Sequence, residues 1–104
     1  MRSTEFRRIY DQGARYTCPF FAAFYVCEQN APGPRVGFTT PRALGGAVVR
    51  NRIKRRVREA VRLRLDQLNP QCSIVFNPRR QALDAAFPEL GREVERFFRR
   101  LRQL

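Results

Sequence analysis

The apolar positions change period along the chain, and the changes mark the elements. Phe6, Ile9 and Tyr10 fall at i, i+3 and i+4 and share one face of a short helix. Ser3 or Thr4 can cap that helix and Gly13 can end it. Phe20 to Cys27 is aromatic and apolar, which predicts a strand. Asn30-Ala31-Pro32-Gly33-Pro34 breaks the chain, and Arg35 to Thr40 reads as a second strand that pairs with the first as a hairpin. From about Ala47 to Leu68 the period is helical, with Ile53, Val57, Ala60, Val61, Leu65 and Leu68 on one stripe. Arg52, Arg55, Arg58 and Arg62 project from the other side. Asn69-Pro70 stops this helix, and Cys72 to Phe76 is a short apolar run of the kind found in buried strands. Pro88 fits the first turn of a last helix, whose stripe is Leu90, Val94, Phe97, Phe98, Leu101 and Leu104.

Helices interleaved with strands predict one sheet with helices packed on it. The long helix connects the Arg35–Thr40 strand to the Cys72–Phe76 strand, so those two strands should run parallel. The 104 residues suffice for one domain, and the chain has neither an internal repeat nor a linker.

Charge adds what periodicity cannot. Lysine and arginine number 21 against 9 acidic residues, a net charge of +12 with no histidine. A folded domain this basic points to a polyanion, with nucleic acid first. Lys54 is the only lysine; the other basic residues are arginine, whose planar fork grips phosphate and stacks on bases. Without histidine there is no Ser-His-Asp triad, no Cys-His dyad and no imidazole metal ligand. Cys18, Cys27 and Cys72 are too widely spaced for a metal knuckle and read as reduced, buried or inert thiols, with the chain cytoplasmic. No uncharged stretch exceeds the 12 residues of Tyr16 to Cys27, too few to span a bilayer.

The densest chemistry is Arg50-Asn51-Arg52-Ile53-Lys54-Arg55-Arg56-Val57-Arg58-Glu59, where six of ten residues are basic and open a helix. First-turn amides lack intrahelical partners and can donate to phosphate. Cations there oppose the helix dipole by roughly 0.3–1 kcal/mol each, and a bound polyanion relieves that cost. A charge run can also be a solvated face, but Glu59 alone cannot neutralise this one.

The stretch from Gly45-Gly46-Ala47-Val48-Val49 through Arg50-Asn51-Arg52-Ile53-Lys54-Arg55-Arg56-Val57-Arg58-Glu59 resembles the signature of the bacterial ribonuclease P protein family. Phe6 and Tyr10, Gly13, the aromatic strand and Arg35-Val36-Gly37 also fall where that family has similar residues. The resemblance implies an α+β two-layer sandwich ordered α-β-β-β-α-β-α, with a mixed four-stranded sheet and a left-handed βαβ crossover. It implies two partners, the catalytic RNA of ribonuclease P and precursor tRNA, whose 5′ leader is removed. The cutting would belong to the RNA and its Mg²⁺ ions, with no catalytic or metal-binding residue in the protein, which would be monomeric alone and free of membrane.

By position, the family's RNA-contacting motif falls on Arg50, Asn51, Arg52, Lys54, Arg55 and Arg58, with Arg62 and Arg42 as further RNA-binding candidates. Phe6, Tyr10 and Phe24 fall where aromatic residues line a cleft for the single-stranded leader. Flat side chains stack on any base, though aromatic residues at helical spacing are more often core, and these three divide evenly between the two roles. Two departures stand out. Pro41-Arg42-Ala43 replaces the family's paired lysines, and only Met1-Arg2 precedes the first helix.

Three other readings compete with this one. A ribosomal or other structural RNA-binding protein shares the charge logic but needs no leader cleft. A self-sufficient nuclease needs clustered carboxylates for its metals, and the acidic residues here form no such pattern. A membrane-surface role for the basic last helix is answered more simply by a core stripe.

Overall fold

The computed structural model describes residues 3–31 and 33–103; Met1-Arg2, Pro32 and Leu104 lie outside these. Three α-helices, α1 (Ser3–Gln12), α2 (Ala47–Arg62) and α3 (Phe87–Arg102), accompany four strands. The strands are β1 (Ala14–Thr17), β2 (Phe21–Cys27), β3 (Arg35–Phe38) and β4 (Cys72–Pro78). They form one mixed sheet in the order β1-β2-β4-β3, an α+β fold.

The expected β2–β3 hairpin is not made. β4 lies between the two strands, antiparallel to β2 and parallel to β3. Cys72, Ile74, Val75 and Phe76 are fully buried, and a strand apolar on both faces belongs at the centre of a sheet. The segment after β2 carries Pro32 and Pro34, which cannot donate as a tight hairpin turn requires. The parallel β3–β4 pairing across α2 is as the pattern predicts. β1 pairs antiparallel with β2.

Side chains alternate across β2 and so divide the molecule into two sides. Phe21, Ala23 and Tyr25 join the main core with α2 and α3, while Ala22 and Phe24 face α1. Phe97 of α3 centres the core, its ring 4.8 Å from Tyr16, 5.6 Å from Tyr25 and 5.8 Å from Phe76. Ile53, Val57, Ala60 and Val61 supply the buried stripe of α2. That helix ends at Arg62, earlier than its pattern predicts. Leu65 is left largely exposed, and only Leu68 returns to the core. The early end frees Arg64 to donate to the Ala60 carbonyl and to Glu95 of α3, both at 3.0 Å.

The cysteines also depart from expectation. Cys27 and Cys72 form a disulfide rather than remaining reduced. Antiparallel register sets them directly opposite at a Cα–Cα distance of 4.0 Å, a proximity that their separation of 45 residues conceals. Cys18 is free and buried, and burial pushes its thiol pKa up. No helix of the described residues is long and apolar enough to cross a membrane.

Candidate nucleic-acid interface

Two sites emerge, one on α2 and one between α1 and the sheet. The stripe that buries Ile53 and Val57 turns Asn51, Arg52, Arg55 and Arg58 to solvent, with Lys54 half-buried beside them. Gly46 precedes the helix and brings no side-chain cap, so the first-turn amides keep their donors. Val48, Asn51, Arg52, Arg55 and Arg56 line a shallow hollow of about 510 Å³. A second hollow of about 280 Å³ continues along Asn51, Lys54, Arg55 and Arg58.

Among the described residues no carboxylate pairs with Arg50, Arg52, Lys54, Arg55 or Arg58. Arg62 Nε donates to Glu59 Oε2 at 2.9 Å, and this bond holds the Glu59 carboxyl below the usual carboxylate range. Arg62 is therefore engaged within its own helix. Arg50 is half-buried, and its Nε is buried without a hydrogen-bond partner among the described residues. Arg42 is exposed in the short 3₁₀ turn before α2, which Arg80 braces by donating to the Leu44 carbonyl at 2.7 Å.

Arg56 belongs to the structure rather than to the surface. Its Nε donates to the Ala82 carbonyl at 2.9 Å and its Nη2 to that of Ala85, tying α2 to the segment before α3. Val48, by contrast, is 82% exposed amid the arginines. Helical periodicity places Val48 opposite the buried stripe, whereas nothing local marks the contacts of Arg56.

The second site lies where α1 packs on β2 and β4. Tyr10 meets Phe24 of β2 edge-on, ring centroids 4.8 Å apart. The Tyr10 hydroxyl donates to Asn77 Oδ1 at 2.8 Å, and the Thr39 hydroxyl donates to the same oxygen at 2.6 Å. The Arg15 guanidinium lies 5.8 Å from the Phe24 ring centroid. Phe6 lies one turn earlier on α1, half-buried, and joins no aromatic pair among the described residues. Tyr10 and Phe24 are thus brought together. Residue patterns missed Arg15, Thr39 and Asn77 because they did not resolve β1 or the neighbours of Phe24.

Ion pairs hold α1 in place. Arg35 Nη1 lies 2.6 Å from Glu5 Oε1, and Arg8 pairs with Glu28. At its other end α1 stops at Gly13, whose amide donates to the Ile9 carbonyl at 2.8 Å. Thr39, bonded to the same Asn77 as Tyr10, stands eight residues before the start of α2 at Ala47. One site is an exposed basic helix face, the other an aromatic pair where α1 meets β2.

The profile of the family described as ribonuclease P matches residues 1–102. A ribonuclease P protein component of Symbiobacterium thermophilum is 48% identical over 96 residues, covering 91% of this chain and 83% of the relative. One from Acidothermus cellulolyticus is 37% identical over 103 residues, covering 98% and 86%. Among solved structures, the RNase P protein from Thermotoga maritima superposes with a TM-score of 0.83 at 23% identity, covering 96% of this chain and 94% of that one. The RNase P protein of Staphylococcus aureus superposes with a TM-score of 0.79 at 24% identity, covering 95% and 90%. At these identities the likeness to solved structures concerns the fold.

Proposed function

The chain belongs to the ribonuclease P protein family, a component of an endoribonuclease holoenzyme that processes tRNA, and from that premise we propose how its two sites divide the work. The α2 face formed by Asn51, Arg52, Lys54, Arg55 and Arg58, with Arg50 at its edge, binds the catalytic RNA. The cleft of Tyr10, Phe24 and Arg15 holds the single-stranded 5′ leader of precursor tRNA, with Phe6 at its rim. The observation that carries this reading is the uncompensated cluster on α2: the one carboxylate of the segment, Glu59, is already engaged by Arg62. An RNA backbone supplies the missing negative charge.

In this reading the protein orients and the RNA cuts. Among the described residues no three His, Cys, Asp or Glu side chains gather as a metal site. Glu5, Glu28, Glu59, Glu93 and Glu95 are each held by an arginine. In this reading the Mg²⁺ ions are held mainly by the RNA. Counter-charge from α2 lets RNA segments approach one another, and stacking in the cleft adds affinity without selecting leader sequence.

Reconstitution tests the proposal. Precursor-tRNA cleavage by the catalytic RNA is measured at low Mg²⁺ with and without the protein. Stimulation that requires a leader-bearing substrate is expected. Absence of stimulation, or cleavage by the protein without RNA, would overturn the reading.

A further inference from the structure

The exposed side of α3 carries a second concentration of positive charge that neither site uses. Arg92, Arg96, Arg99, Arg100 and Arg102 all face solvent. Arg96 is paired with Glu93 at 3.4 Å, whereas Glu95 is taken by Arg64. Arg92, Arg99, Arg100 and Arg102 have no ion-pair partner among the described residues. Cations in a last helical turn suit the dipole. Arginines at 96, 99, 100 and 102 also stand three and four residues apart, where like charges repel. Arg96, Arg99, Arg100 and Gln103 line a hollow of about 490 Å³ against Tyr16 and Thr17 of β1.

The fold places this patch far from the α2 motif. Arg56 touches the segment just before α3, and Arg64, two turns on, touches Glu95. The two helices therefore advance side by side in the same sense. Asn69, just before β4, donates to the Leu101 carbonyl at 3.4 Å, which sets the end of α3 near the start of β4. The motif at the start of α2 lies toward the opposite end of this layer. At 1.5 Å per residue, Arg52 and Arg99 are separated by about 25 Å along the helices.

We propose that the last two turns of α3, through Arg96, Arg99, Arg100 and Arg102, form a second docking surface for the backbone of the catalytic RNA. It engages a segment distinct from the one on the α2 motif. The inference rests on the proposed RNA-binding function. The occupant is the catalytic RNA rather than the leader because α3 packs beside α2 on the sheet face opposite the cleft. Two basic poles on one rigid layer fix the orientation of an RNA as one pole cannot.

The test uses the full chain with the triple substitution Arg99→Ala, Arg100→Ala and Arg102→Ala. Binding to the catalytic RNA is measured across a salt series, with nuclease footprinting of the complex and thermal unfolding as the control for folding. Each lost phosphate contact lowers the slope of log K against log salt by about 0.7–0.9, so the triple variant should lose roughly 2. It should also lose protection of one RNA segment while keeping the segment that Arg52→Ala/Arg55→Ala abolishes. An unchanged slope and footprint would refute the second surface. A loss seen only with precursor tRNA, growing with leader length, would reassign the patch to the substrate and refute it too. Failure of the unsubstituted chain to bind the catalytic RNA would instead remove the proposed function itself.

Discussion

Phe24→Ala is the sharpest probe of the cleft. Phe24 is half-buried, meets Tyr10 edge-on at 4.8 Å and lies under Arg15, so one ring face is already committed within the protein. If the exposed part of the ring stacks on a leader base, its removal costs about 1–3 kcal/mol, or roughly 5- to 150-fold in affinity. The fold also loses something. An aromatic pair contributes about 0.5–1.5 kcal/mol beyond its buried area, and a half-buried ring adds less than the 3–5 kcal/mol of a fully buried one. A total near 2 kcal/mol leaves a domain of ordinary stability, about 5–15 kcal/mol, folded. The assay is holoenzyme affinity for precursor tRNA and for mature tRNA, measured as a ratio. Phe24→Ala should lower that ratio at least fivefold by weakening the precursor alone. Phe24→Leu, which keeps most of the volume but cannot stack, should do nearly the same. Equal weakening of both tRNAs, or of neither, refutes the stacking argument.

Other substitutions separate structure from recognition. At Gly13 an added Cβ would stand 2.6 Å from the Tyr25 carbonyl oxygen and closer still to that of Ile9, so Gly13→Ala must shift α1. A loss of about 1–3 kcal/mol, roughly 5–20 °C in Tm, together with weakened precursor binding is expected by calorimetry and binding assays. Arg56→Ala removes two charge-assisted bonds to carbonyls and should destabilise by about 2–4 kcal/mol in denaturant titration while leaving the affinity of the folded protein for the catalytic RNA unchanged. Unfolding without reductant should expose one reactive thiol, Cys18, and three after reduction, with stability falling by up to about 4 kcal/mol for a separation of 45 residues. Burial raises the Cys18 pKa, so the unfolded thiol ionises first. Stability from this group is complete below the ordinary thiol range near 8.5 and declines above it, which a denaturation series against pH would read.

The helices were legible because their apolar stripes are long and regular: every described member of the α3 stripe is fully buried. The sheet order was not, because the adjacency of β2 and β3 in sequence favours a hairpin that the burial of β4 overrides. The same register that defeats the hairpin brings Cys27 to Cys72. Within the α2 motif the charge cluster could be read directly, but the inward role of Arg56 depends on carbonyls 26 and 29 residues away. Local pattern carries no information at that separation. Tyr10 and Phe24 could be paired by resemblance, while Arg15 required knowing that β1 exists.

Binding of the catalytic RNA by Arg52→Ala/Arg55→Ala, with thermal unfolding measured on the same preparation, decides whether the guanidinium cluster of α2 lies against RNA. Both side chains are solvent-exposed, so Tm should stay within a degree or two. Two lost contacts at about 1.5 kcal/mol each should weaken binding on the order of a hundredfold, with a salt slope shallower by about 1.5. Full affinity with an unaltered slope would mean that the guanidinium cluster on α2 does not lie against RNA.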